Sequence, residues 1–206
     1  MIRTLRLCLR PWRAEDYAPY ADLNADPEVR RWWPNGTLSR SESDEQADGL
    51  RGHIEKHGFG FWAVEAPGVA SFIGFVGLQH VGADMPFAPA VEAGWRIARR
   101  YWGHGYATEG ARAALADGFG RLGLSEIMAY AVADNAPSRR VMERIGMTHD
   151  AAEDFDHPYR RPDDPLRRHV IYRVSKAAWS KPAPNDVPSP RLRPTNATRL
   201  RQRRLG

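Results

Sequence analysis

The stretch from Glu126 to Val132, with IMAYAV inside it, is apolar on both faces. Such a strand has to be covered on both sides, so it marks the centre of a sheet and not its edge. The flanks supply covers. Upstream, Tyr106 to Leu122 places Ala107, Ala111, Ala114, Leu115 and Phe119 on one side of a helix. Downstream, Pro137 to Ile145 reads as a short helix. Asp134 or Asn135 can cap it, Pro137 suits its first turn and Gly146 suits its end. Elsewhere, Arg3 to Leu9 alternates like a strand, and Ala14 to Ala25 reads as a helix. Ser39 or Ser41 caps a second helix reaching His57. Phe59 to Glu65 and Ser71 to His80 form an antiparallel pair about Pro67-Gly68, and Pro89 to Ala98 is a further strand. Met147 to Phe155 pairs with Arg168 to Ser175 across a long loop. The expectation is one α/β sheet of mixed direction.

The chain has 206 residues, 42% hydrophobic and 27% charged, enough for one soluble domain. No apolar run is long enough to span a membrane. The N-terminus lacks the continuous apolar stretch of a secretory signal. Cys8 is the only cysteine, which excludes an internal disulfide and points to a reducing, cytoplasmic setting. The net charge of +5 belongs to the C-terminus, where Lys181, Arg191, Arg193, Arg199, Arg201, Arg203 and Arg204 face Asp186 alone. Residues 1–178 are therefore expected to form the domain, and 179–206 a disordered Pro/Arg-rich basic tail. A solvated extension is the favoured reading of that tail, with electrostatic contact to RNA, ribosome or acidic lipid as the alternative; nucleic acid is not expected on the near-neutral domain. Asn196-Ala197-Thr198 fits a glycosylation sequon, but no secretion signal accompanies it.

Between the fourth strand and the long helix stands RRYWGHGYATEG, Arg99 to Gly110. A helix N-terminus has unpaired N–H groups and partial positive charge, so an anion placed there satisfies both. Glycines on the incoming turn let it approach. The amides of Gly103, His104, Gly105, Tyr106, Ala107 and Thr108 form such a cradle, with the charges of Arg99 and Arg100 beside it. A P-loop is excluded, because Gly-Tyr-Ala-Thr replaces Gly-Lys-Ser/Thr. A Rossmann fingerprint fails at Thr108, where Gly or Ala is wanted. Two readings remain open at this point: a site for the pyrophosphate of an acyl carrier, coenzyme A, or a tight turn with no ligand.

Arg100-Tyr101-Trp102-Gly103-His104-Gly105 matches the R/Q-x-x-G-x-G/A signature of the GNAT acyltransferase superfamily. YWGHGYATEGARAAL resembles the branch of ribosomal-protein N-terminal acetyltransferases, the RimJ/RimL type. ADNAPSRRVMERIGM is similar to that branch's Asn-x-x-Ser segment, with Arg144 and Met147 in place of its Lys and Phe. The resemblance covers residues 3 to 175. It implies a mixed, mostly antiparallel sheet of about seven strands flanked by about four helices. It also implies acetyl-CoA as donor and a primary amine, on a protein N-terminus or a small molecule, as acceptor. The oligomeric expectation is a monomer or a homodimer.

Acetyl transfer to an amine needs a base, donors for the developing oxyanion, a proton for the departing sulfur and alignment. In VEAGWRIA, Glu92, Gly94 and Arg96 share one face and Val91, Ala93, Trp95 and Ile97 the other. Glycine within a strand marks a bulge or a close approach. The resemblance implies that the backbone from Gly94 through Trp95 and Arg96 to Ile97 bonds the pantetheine arm. Glu92 is then placed to be the general base, directly or through water; the alternative is an ion pair with a neighbouring Arg. Arg139 and Arg140 stand in the first turn of the short helix, where basic side chains oppose its dipole. That departure suggests phosphate contact; an i,i+4 pair with Glu143 is the alternative for Arg139. Asn135 can bond the pantetheine amides, cap the helix, or both. Ser138 aligns with the family's serine near the sulfur, a proton donor. Where many members of the superfamily have a tyrosine, this chain has Met142.

On the acceptor side, Trp32 and Trp33 resemble the family's acceptor region, and one of them is expected to pack partly into the core. Asp154, Asp156 and His157 are placed where acids would suit a cationic amine. His53 and His57 have i,i+4 spacing but no third ligand along the chain, so no metal is expected. Two rival functions stand beside the enzyme: a catalytically inactive acetyl-CoA-binding module, and an RNA- or ribosome-associated protein acting through its tail.

Overall fold

The computed structural model describes residues 1–179. Residues 180–206, with the basic cluster and the sequon, lie outside the described residues. The strands are β1 (Ile2–Arg3), β2 (Cys8–Arg10), β3 (Phe61–Ala66), β4 (Ala70–His80), β5 (Val91–Ile97), β6 (Glu126–Val132), β7 (Thr148–His149), β8 (Phe155–Asp156) and β9 (Arg168–Ser175). They make one nine-stranded sheet in the order β1-β2-β3-β4-β5-β6-β9-β7, with β8 also on β9. Only β5 and β6 run parallel. The helices are α1 (Tyr17–Ala25), α2 (Pro27–Arg30), α3 (Arg40–His57), α4 (Tyr106–Gly120), α5 (Ala136–Arg144) and α6 (Lys176–Trp179). Trp179, assigned to the tail from sequence, closes α6 with its ring 5.8 Å from Phe119.

The sheet has more strands than expected because two expected strands are broken. Arg3 to Leu9 is a tight hairpin, not one strand: Ile2 faces Leu9 and Arg3 faces Cys8. The Thr4 amide bonds the Leu7 carbonyl at 2.9 Å and the Leu7 amide bonds the Thr4 hydroxyl at 2.8 Å. Leu5, at the tip, is 95% exposed. Met147 to Phe155 divides into β7 and β8 around a 3-10 turn at Ala151–Glu153.

The capping signals are realised. Ser39 and Glu42 form a capping box, and Gly58 ends α3 at φ 72°. Asn135 accepts the Ser138 amide at 3.2 Å. β6 is central, and Ile127, Met128 and Ala129 are buried. α4 lies close on the sheet because Gly110 and Gly118 leave room: a Cβ would meet Val76 at 3.2 Å and Leu78 at 2.6 Å. On the far side, buried Arg10 grips Asp16 through bonds of 2.7 and 2.8 Å, Glu65 at 3.0 Å and the Ser71 carbonyl at 2.6 Å. Among the described residues, no helix is long and apolar enough to cross a membrane.

Candidate active site

The cleft begins where β5 and β6 part. Their only register pair is Glu92 with Met128. β5 stays paired with β4 from Val91–His80 to Ile97–Gly74 without a break, so the bulge suggested for Gly94 is absent. That glycine makes room for the Phe61 ring, which a Cβ would meet at 2.5 Å. Antiparallel pairing alternates bonded and unbonded positions. The bonds Ala98 N–H to Ile73 O and Val81 N–H to Ala90 O turn the even-numbered residues of β5 toward β4. The backbone groups of Trp95 and Ile97 therefore face the gap left by β6.

At the end of β5, a 3-10 turn at Arg99–Tyr101 leads into the glycine turn. Trp102 Nε1 donates to the Ile97 carbonyl at 2.7 Å and folds the turn back on β5. Gly103 and Gly105 take φ 79° and 78°, the left-handed region open to glycine. A Cβ at Gly103 would meet nothing within 4 Å, so the turn opens outward. The Glu109 amide bonds the Gly105 carbonyl. Among the described residues, no hydrogen-bond partner meets the amides of Gly103 to Thr108. Glu109 anchors the turn: it accepts from Thr4 Oγ1 at 2.6 Å and Arg6 Nε at 2.7 Å, while Arg6 Nη1 reaches the His104 carbonyl at 3.0 Å. Burial raises the Glu109 carboxyl, but these bonds outweigh it and leave it below its ordinary value.

The cleft holds about 640 Å³ and runs from this turn past Trp95, Arg96 and Ile97 to α5 and to Trp32 and Trp33. Gly103, Gly105, Tyr106, Ala107, Thr108, Asn135, Ser138 and Arg140 all line it. Arg144 also lines it, one helical turn beyond Arg140; that i,i+4 spacing was its sequence signal.

Other expected residues stand elsewhere. Arg139 turns back to the sheet, donating to the Ala133 carbonyl at 3.0 Å and Tyr172 Oη at 3.3 Å. Tyr172 in turn donates to Glu143 at 3.1 Å, so a hydroxyl bridges the anticipated Arg139–Glu143 pair. Arg99, Arg100 and His104 are exposed and do not line the cleft; Arg100 lies over the Tyr101 ring and His104 stacks on Tyr106. The two acids are already paired. Asp154 accepts from His149 at 2.8 Å, and Asp156 meets Arg167 at 3.5 Å and Arg168 at 3.6 Å. Neither lines the cleft. His157 packs in a ring cluster with Tyr130, Phe155 and His169, and burial lowers its pKa, helped by Arg160.

Glu92 is half-buried on the same face of β5 as Arg96, opposite Gln79. It does not line the 640 Å³ cleft. The anticipated Arg pair is absent: among the described residues it has no hydrogen bond or ion pair, and burial pushes it up to about 8. Tyr130, beside it, is raised by burial and then by the Glu92 charge. Arg96 is buried and donates through Nη1 to Asn24 at 2.7 Å, Gln46 at 3.0 Å and Tyr20 at 3.3 Å. Among the described residues no carboxylate pairs with it, and burial lowers it to about 10. Its guanidinium lies 4.2 Å from the Trp33 ring centre, and Arg30 lies 5.3 Å from the same ring. Both tryptophans are half-buried.

The third histidine missed along the chain is His80. It meets His53 and His57 across the fold, with ligand atoms all within 4.8 Å of one another. Sequence spacing could not show it, because α3 and the end of β4 meet only in the folded chain.

A splayed parallel pair, a glycine turn with free amides and a helix behind it define an acyltransferase class of fold and cleft. Residues 6–148 match the family described as the acetyltransferase (GNAT) domain, and the chain belongs to that family. It is 30% identical over 195 residues to the FsC-acetyl coenzyme A-N(2)-transacetylase of Aspergillus fumigatus, covering 86% of this chain and 77% of that one. The GNAT-family acetyltransferase of Bacillus anthracis superposes with a TM-score of 0.72 at 23% identity, over 85% of this chain and 98% of that one. Spermidine N-acetyltransferase of Vibrio cholerae, solved with CoA and spermine, gives 0.67 at 19%, over 85% and 99%. As a member of that family the protein is an acyltransferase.

Proposed function

We propose that the protein moves acetyl from acetyl-CoA to a primary amine by direct attack, and that it belongs to the RimJ/RimL-like branch and works in the cytoplasm. The carrying observation is the run of unpartnered amides from Gly103 to Thr108, opening on a cleft that continues along Trp95 and Ile97. Those amides fit a diphosphate, and Arg140 and Arg144 add charge on the opposite wall. Acetyl-CoA supplies the activated acyl group; a C–N bond forms and the C–S bond breaks.

The chain's part follows from its own groups. The Trp95 and Ile97 backbones hold the extended arm in the gap between β5 and β6. Their N–H groups stand ready for the carbonyl oxygen as charge builds on it. Glu92 takes a proton from the acceptor ammonium, directly or through one water. Its pKa near 8 suits that work, lying between solvent and an amine at about 10. Ser138, half-buried in the cleft wall, gives a proton to the departing sulfur.

Beside Trp32 and Trp33 the cleft carries Arg31 and Arg96 against the single acid Glu28, which meets Arg31 at 3.5 Å, while Asp154 and Asp156 are paired elsewhere. That charge favours an amine with a neutral or acidic body over a polyamine. Calorimetry with acetyl-CoA, followed by thiol release over a panel of amines, tests the reading. The expected result is saturable binding and release that depends on the amine. No uptake of acetyl-CoA overturns the function, and spermidine as the best acceptor overturns the charge preference.

A further inference from the structure

We propose that His53, His57 and His80 form a binding site for a divalent transition metal of the zinc class. The site stands apart from the acetyl-transfer cleft, since none of the three lines it. His53 and His57 share one face of the last turns of α3, and His80 ends β4. Their ring centres lie 4.5, 4.7 and 5.6 Å apart, and Phe59 packs against all three.

The nitrogens are unspent. Among the described residues, no hydrogen bond joins any of these imidazoles to another residue, and His53 Nε2 is buried without a partner. A buried polar atom left unpaired is costly and calls for an explanation. A metal supplies one. The ligand atoms lie within 4.8 Å of one another. Tetrahedral zinc, with Zn–N of about 2.0–2.1 Å, brings its nitrogens to roughly 3.4 Å apart. Rotation of the exposed His57 and His80 rings closes that difference. The C-terminus of α3 contributes partial negative charge, which favours a cation there and offsets Lys56. Three imidazoles leave the fourth position of a tetrahedral ion to water. The ion would tie the end of α3 to the end of β4, next to Val91 and Glu92 on β5.

The test uses the full 206-residue chain without a histidine tag, stripped with chelator. Coenzyme A is left out, because its thiol takes zinc. Zinc chloride is titrated by calorimetry, and cobalt chloride is followed by visible absorption. The expected result is one equivalent bound, with the intense bands of tetrahedral cobalt. His57→Gln and His80→Gln should each weaken uptake by at least about tenfold, in the range seen when a metal site loses support. Both residues are exposed, so these variants fold even if His53→Gln does not. No saturable uptake overturns the proposal. So does uptake that His80→Gln leaves unchanged, because the metal then sits elsewhere.

Discussion

Glu92 and Met128 form the single register pair that joins β5 to β6. The same Glu92 carries a carboxyl without an ion-pair partner among the described residues. Glu92→Gln keeps the side chain's shape and removes its charge. We expect kcat to fall by about a hundredfold, the usual worth of a positioned base, with acetyl-CoA affinity unchanged. In the parent, kcat/KM should rise with an apparent pKa near 8. Steady-state rates across pH check both; an unchanged kcat removes Glu92 from the mechanism.

Between them, Glu92 and His169 should hold stability level from about pH 4.5 to 6.5, with a fall on either side. The Glu92 carboxyl is raised from 4.5 to about 8 by burial, so the folded state keeps a proton that the unfolded chain releases. Its contribution is therefore lost as pH rises through that window and is level above it. His169 is lowered from 6.5 to about 4, first by burial, so the unfolded chain takes the proton earlier. Its contribution is lost as pH falls from 6.5 to 4. Urea unfolding at several pH values should show both slopes. Glu92→Gln should flatten the upper one and His169→Gln the lower one.

Gly105→Val places a side chain at φ 78°, on the turn whose amides are free. The strain is about 1–2 kcal/mol. We expect acetyl-CoA to bind at least about tenfold more weakly, which corresponds to roughly 1.4 kcal/mol. Calorimetry gives the affinity, and circular dichroism shows whether the fold is kept.

Glu109→Gln releases Arg6 and loosens the turn without touching the cleft lining. Arg6 is 47% exposed, so the stability loss should stay within about 1 kcal/mol. KM for acetyl-CoA should rise severalfold while KM for the amine holds. A rise in both would argue against a role confined to the turn.

Asp16→Asn leaves the Arg10 guanidinium buried beside a neutral amide; both partners are only 2% exposed. Glu65, 3.0 Å from Arg10 Nε, still compensates the charge, so the loss should stay below the roughly 3–5 kcal/mol of a buried pair broken outright. Urea denaturation should show the loss, with acetyl transfer per folded molecule unchanged.

What the sequence determined is local. The apolar pattern of Glu126 to Val132 made β6 central, and Ser39, Gly58, Asn135 and Gly146 set helix ends, because caps and periodicity act within a few residues. The glycine turn was legible for the same reason: a positive φ is a property of the residue that adopts it. Side-chain partners depend on what lies across the fold, and those the sequence could not give. Arg139 faces Tyr172, Asp154 is held by His149, Arg3 to Leu9 bends into a hairpin, and His80 joins two histidines from α3. Glu92 acquires its raised pKa only because the tertiary structure buries it with no cation beside it.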